Sequence, residues 1–209
     1  MQRIFIIFSQ KENFMLEIYP INEDTWKLFE PFGFSEHDFY TLPKEDLEML
    51  CMGQTTSLLP LRLTNSDGET VERLARLGFV RKPDGNVEVK AYPQYDEIQT
   101  GDLDLSKRDI ERLKRQGVIY TEAVIDGQRN RCFVQLDPLT NCLLYARADD
   151  IGRLIPTDIH GTELTRIQRD KIRQGKSVEV KVGNQTYVVG IDLEKRNGFK
   201  VWRIANLNR

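Results

Sequence analysis

Cysteine, histidine and long apolar runs are what this sequence has least of. The three cysteines, Cys51, Cys132 and Cys142, are an odd number without Cys-x-x-Cys spacing. That argues against a disulfide framework and fits reduced thiols. The two histidines, His37 and His160, lie far apart, and neither sits in a ligand-spaced cluster. No structural metal and no cofactor is therefore expected. No segment approaches the roughly 18 consecutive apolar residues that span a bilayer. The apolar opening Met1–Phe8 runs straight into Ser9–Asn13 with no small-residue cleavage site, so neither a signal peptide nor a membrane is expected, and the location expected is the cytoplasm. A phosphate-cradling glycine loop is missing too, because the glycines stand singly at turns and helix ends.

What is present is an uneven distribution of charge. The net charge of −2 conceals two opposed halves. Residues 1–104 hold 10 Lys and Arg against 19 Asp and Glu, a net of −9, whereas residues 105–209 hold 20 against 13, a net of +7. Halves so divided either serve different partners or attract each other. The hydrophobic fraction of 40% is that of an ordinary globular chain, which argues against wholesale disorder.

The basic half reads as one small unit used twice. Leu105-Ser106 and Leu164-Thr165 each place a hydroxyl cap before a polar helix, and Gln116-Gly117 and Gln174-Gly175 each end it on a residue suited to the left-handed conformation. Two capped helices of equal length are expected. Alternating apolar residues then flank Asp126-Gly127 in the first copy and Gly183-Asn184 in the second, the pattern of a β-hairpin. Both hairpins finish on an apolar residue and an aspartate, Leu136-Asp137 and Ile191-Asp192. A third apolar run closes each unit, at 142–146 and 198–204. The helices should bury Leu105, Ile110 and Leu113, or Leu164, Ile167 and Ile172, on one sheet face.

The acidic half reads as a hairpin over Arg3–Tyr19, a helix over Asn22–Glu30 stopped by Pro31 and Gly33, a helical turn over Ser35–Tyr40 and a helix over Pro43–Met52. Strands follow at Ser57–Leu63, Ala75–Arg81 and Val87–Tyr92, with Glu69–Leu77 ambiguous between strand and other states. The fold class expected is α+β. An acidic N-terminal domain (1–92), a linker (93–104) and two tandem αβββ repeat units (105–155 and 156–209) make up the organisation expected.

The twice-used pattern, Leu-Ser/Thr before a polar helix ending in Gly, then a hairpin and a strand ending in Asp, resembles the domain of unknown function 3945. That domain is repeated in proteins of Bacteroidetes mobile elements. The segments Ile21–Gly33, Gly53–Pro60 and Ala75–Tyr92 around Asp84-Gly85 resemble its frequent N-terminal companion, the domain of unknown function 4099. Neither family brings an established activity. The resemblance implies a context of conjugative or plasmid-borne genes, near DNA-processing functions.

For chemistry, the arginines of the repeat helices stand out. At 100° per residue, Arg108, Arg112 and Arg115 cluster on one helical face, as do Arg166, Arg169 and Arg173. Such faces could grip DNA or RNA phosphates without sequence preference, or dock an acidic protein, or simply be solvated. Tyr120, Phe133, Tyr145, Tyr187, Phe199 and Trp202 lie in strands, where bases could stack on an open sheet; a place in the core is the reading favoured for them, Trp202 included. Asp102 with Asp104, Asp149 with Asp150, His37 as a base and Cys51 as a nucleophile all lack the neighbours that catalysis needs. The expectation is a non-enzymatic binding module of a mobile-element accessory protein contacting nucleic acid. The alternative is an adaptor whose basic half docks an acidic partner or its own acidic domain.

Overall fold

Short helices alternate with small antiparallel sheets along this α+β chain, whose computed structural model describes residues 19–64, 68–82, 84–101, 103–125, 127–195 and 197–204. Apart from Tyr19, the hairpin expected over Arg3–Tyr19 lies outside the described residues. The described chain forms two units, one of residues 19–99 with 137–142, the other of residues 100–136 with 143–204. No helix among the described residues is long and apolar enough to cross a membrane.

In the first unit the helix expected over Asn22–Glu30 is replaced by two 3₁₀ turns, Thr25–Leu28 and Glu30–Phe32. The Asn22 carboxamide oxygen accepts from the Asp24 N–H and the Thr25 hydroxyl, so the side chain competes with the helical ladder for local donors. These turns bring Phe29 to full burial, 4.8 Å from the Phe39 ring and edge-on to Phe34 and Phe79. Helix α1 (Glu36–Tyr40) is capped reciprocally by Ser35 and Asp38, and α2 (Lys44–Cys51) starts after Pro43. Strands β1 (Leu59–Thr64), β2 (Thr70–Arg81) and β3 (Val87–Pro93) form an antiparallel sheet in that order. The ambiguous stretch Glu69–Leu77 is thus mostly strand, because Thr70–Ala75 pair with β1 from Thr64↔Thr70 to Leu59↔Ala75.

One face of β2 supplies Ala75, Leu77 and Phe79 to the core with Phe29, Phe39 and Leu50. Its other face carries Arg76, which is only 5% exposed. The Arg76 Nε donates to the Thr56 carbonyl at 2.7 Å, and Nη1 donates to Asp137 Oδ2 at 3.0 Å. Segment 137–142 also receives the expected linker: the Tyr95 N–H donates to the Thr140 carbonyl, the Gln99 N–H to the Asn141 carbonyl and the Asn141 amide to the Tyr95 carbonyl.

The second unit runs α3 (Lys107–Gln116), β4 (Val118–Ile125), β5 (Gln128–Leu136), β6 (Leu143–Arg147) and α4 (Ala148–Leu154). A short ladder of β7 (Asp158–Ile159) and β8 (Thr162–Glu163) leads to α5 (Arg166–Ile172), β9 (Val178–Val182), β10 (Gln185–Ile191) and β11 (Phe199–Arg203). The order helix, then three antiparallel strands with the second in the middle, therefore occurs twice, as β4-β5-β6 and β9-β10-β11. Ser106 Oγ accepts from the Asp109 N–H at 3.1 Å and Thr165 Oγ1 from the Gln168 N–H at 3.2 Å. Gly117 and Gly175 follow at φ 74° and 76°, a conformation that would strain any side chain. The helices are unequal, ten residues against seven, because Arg173–Gly175 form a turn rather than a last helical turn.

Helix α5 also corrects one core assignment. Leu164 and Ile172 are fully buried, but Ile167 is 70% exposed. Leu164 precedes the Thr165 cap and so lies outside the helical phase, and five residues from Ile172 put Ile167 about 140° around the helix. Phe133 and Ala146 of the first sheet share one core with Leu164, Ile172, Val178, Val180, Val189 and Phe199. The two αβββ segments thus bury their apolar surface together, which suits segments too small to be stable alone.

Candidate nucleic-acid interface

The helix caps position the arginines. On α3, Arg108 and Arg115 are exposed, while Arg112 turns back so that Nη1 donates to Asp109 Oδ1 at 3.0 Å. On and just after α5, Arg166 and Arg173 flank Asp170 at 3.8 and 2.8 Å, and Arg169 is half-buried. Of the six arginines singled out from the sequence, Arg112, Arg166 and Arg173 therefore meet carboxylates of their own helix. Arg108, Arg115 and Arg169 pair with no carboxylate among the described residues. The Arg166 side chain is 90% exposed and that of Arg173 51%; solvated pairs of this kind contribute about 0–1 kcal/mol, so neither arginine is held firmly. Arg112, at 33%, is held more firmly and belongs to the helix–sheet junction.

That junction has its own electrostatics. Ser106 Oγ donates to Asp109 Oδ2 at 2.6 Å and Thr121 Oγ1 donates to Oδ1 at 3.3 Å. Burial of the Asp109 carboxyl, which raises its pKa, is outweighed by bonds from Ser106, Thr121 and Arg112 together with the Arg112 charge, so it titrates below the usual 3.8. A folded pKa below the unfolded one contributes stability above the ordinary carboxylate range, and that contribution is lost as pH falls through the folded value. Protection of α3 amides from hydrogen exchange should accordingly drop on acidification below about pH 4, and Asp109→Asn should flatten that dependence. An unchanged pH profile in the variant would show that the junction does not depend on this charge.

The aromatic residues divide unequally. Phe133 and Phe199 are buried, the Tyr120 ring lies 5.3 Å from that of Phe133, Tyr145 is half-buried, and the Tyr187 ring lies 4.5 Å from that of His160, tilted by 47°. Trp202, expected in the core, is instead 39% exposed. Strand alternation places it on the same side as Lys200, two residues away, and Lys200 Nζ lies 5.9 Å from the indole centre.

The remaining candidates are scattered. His37 is exposed on α1, Asp104 is exposed, and Asp102 lies outside the described residues. Asp149 and Asp150 open α4, the latter 3.9 Å from Arg153. Cys51 is half-buried, and burial pushes the Cys132 thiol up to about 11, which makes it a poor nucleophile.

Sequence reasoning did not give the two strand-end aspartates a role, although their repetition was visible. Each bends the chain after the middle strand of its sheet: Asp137 Oδ1 accepts from the Leu139 N–H at 2.9 Å, and Asp192 Oδ1 from the Glu194 N–H at 3.1 Å. The Asp192 turn is held by Gln135, whose amide donates to Asp192 Oδ1 at 3.0 Å and whose oxygen accepts from the Leu193 N–H at 2.7 Å. A glutamine on a half-polar strand carries no sequence mark of such a role.

Residues 10–102 match the model of a family described as "Protein of unknown function (DUF4099)", under half of the chain's 209 residues. The match spans the three segments that carry the resemblance to that family. No curated protein and no solved structure matches the chain.

Proposed function

We propose that this chain is a non-enzymatic binding module of a cytoplasmic mobile-element accessory protein, and that its basic helices contact nucleic-acid phosphates. The observation that carries this reading is the exposure of Arg108 and Arg115 with no carboxylate partner among the described residues, in a half-chain of net +7. Arg166 and Arg173 join them once a phosphate replaces Asp170. The proposal extends to residues 105–209 being tandem members of the domain of unknown function 3945. The recurring order of capped helix, three strands and strand-end aspartate supports that assignment.

Anisotropy titrations of labelled DNA and RNA by the full chain over a salt series test it. Affinity should fall steeply with salt, because each phosphate contact releases counterions. Arg108→Ala with Arg115→Ala should reduce the log–log salt slope by about 1.4–1.8, the share of two contacts. A wild-type slope in the double variant would remove these residues from the interface.

A second reading, docking of an acidic protein, is favoured by Ile167, whose 70% exposure beside Arg166 gives a protein an apolar contact that phosphates do not use. Binding of a leucine-bearing acidic peptide in place of nucleic acid, weakened in the uncharged variant Ile167→Ser, would select it.

A further inference from the structure

The outer face of the β9–β11 sheet carries an indole where the matching face of the first sheet is packed shut. Cross-strand register aligns the two. The first sheet pairs Glu122↔Arg131, Tyr120↔Phe133↔Ala146 and Gln135↔Leu144. The second pairs Lys181↔Thr186, Glu179↔Val188↔Trp202 and Gly190↔Lys200. Both are counted back from the strand-end aspartates Asp137 and Asp192. In the first sheet this face is closed by the second αβββ segment: Phe133 and Ala146 are 1% and 6% exposed, and a Cβ on Gly175 would lie 3.3 Å from Tyr120 Cβ. In the second sheet it is open, with Lys181, Lys200 and Trp202 exposed.

The changes between the two faces say what the open one suits. Glu122 and Leu144 give way to Lys181 and Lys200. Gln135, which holds the Asp192 turn, gives way to Gly190, which has no side chain to hold a turn of that kind. A further αβββ segment would therefore lose its polar anchor and bury two ammonium groups, at a large desolvation cost. Gly190 also seats the indole: a Cβ there would lie 3.4 Å from Trp202 Cη2 and 2.6 Å from Ser177 Oγ. The ring reaches across bare backbone at Gly190, with Lys200 next to it on β11, and with Glu179 in its own row and Lys181 in the next row on β9, two strands away. Glycine inside a strand commonly marks such a close approach.

We infer that this face is a stacking platform for single-stranded nucleic acid, with a base on Trp202 and the adjacent phosphates on Lys181 and Lys200. The inference rests on the nucleic-acid reading above and adds the class of strand, since only an unpaired base exposes a face that an indole on a sheet can reach. The charge of the surrounding half-chain fits that occupant. The apolar area, Val188, Trp202 and Ile204 interrupted by Glu179 and two lysines, is a poor fit to a protein core.

The test uses the full chain with a labelled oligothymidylate and a labelled duplex of equal length, by anisotropy at low salt. Trp202→Ala should weaken single-strand binding about tenfold and leave duplex binding unchanged, with Trp202→Phe restoring most of the loss. The residue is exposed, and circular dichroism checks that the variant folds. Single-strand affinity unchanged in Trp202→Ala, or lowered equally for duplex, overturns the platform. If at the same time Arg108→Ala with Arg115→Ala weakens both nucleic acids, the phosphate reading stands without it. Failure of the unaltered chain to bind either nucleic acid overturns both. A dimer in sedimentation that Trp202→Ala converts to monomer assigns the face to a second copy and also overturns the platform.

Discussion

Replacing Arg76 with methionine is expected to cost about 3–5 kcal/mol in urea denaturation, the range for removing one partner of a buried ion pair. The guanidinium and its partner are each only 6% exposed as side chains. Removal of the cation leaves Asp137 buried with the Leu139 N–H and the Thr140 hydroxyl as donors but without its countercharge. It also strips the Thr56 carbonyl of the Arg76 Nε–H. Asp137→Leu alone should cost a similar amount, for the mirror reason. The double variant is the informative one, because two apolar side chains of similar volume need no desolvated charge. It should recover much of the loss, since buried pairs replaced whole are often neutral or better. Additive losses would show that the segment 137–142 depends on the charges themselves.

Phe133→Ala is expected to cost about 3–5 kcal/mol, the range for a truncated, fully buried phenylalanine. What the variant reports exceeds its magnitude. Phe133 stands on β5, yet the buried core it belongs to includes Ile172, Val178 and Leu164 from the second αβββ segment. If those segments share one core, removing the ring should lower the denaturation midpoint measured by Trp202 fluorescence and by α3 amide exchange equally. Two separated transitions, with only the first segment affected, would mean that the segments fold independently. In a fluorescence experiment Trp26→Phe removes the other indole, which is partly buried in the first unit.

How far such features were readable from the chain depends on the range of the interaction that makes them. Ser106, Thr165 and Gly117 act within a few residues, and the element ends at those three fall where the residues say, whereas α5 stops at Ile172, short of Gly175. The strands around Gly127 and Gly183 are equally local, since alternation and a tight turn suffice. Ile167 misled because Leu164 belongs to the approach to the helix and not to the helix itself. Asn22–Glu30 misled because the pull of Phe29 into an aromatic cluster, together with an Asn22 side chain that takes up nearby donors, outweighs helix propensity.

The arginines of the candidate surface rest on local features as well. That basic residues gather in residues 105–209 is evident from the chain alone. Which of them meet a carboxylate is also local, since Asp109 and Asp170 reach Arg112, Arg166 and Arg173 at i,i+3 and i,i+4 spacing, but the arginine faces alone, read without the acids beside them, hide it.

By itself the amino-acid order determined the class of fold, the two matched successions of cap, helix, hairpin and strand-end aspartate, and the opposed charges of the halves. All of these arise from neighbours a few positions apart or from composition. Tertiary structure alone decided that Arg76 is buried against Asp137, that Gln135 holds the Asp192 turn, and that one sheet face is closed while its counterpart exposes Trp202. Those outcomes join residues that are 61, 57 or more positions apart or depend on what packs above a strand, and no local pattern encodes the covering layer.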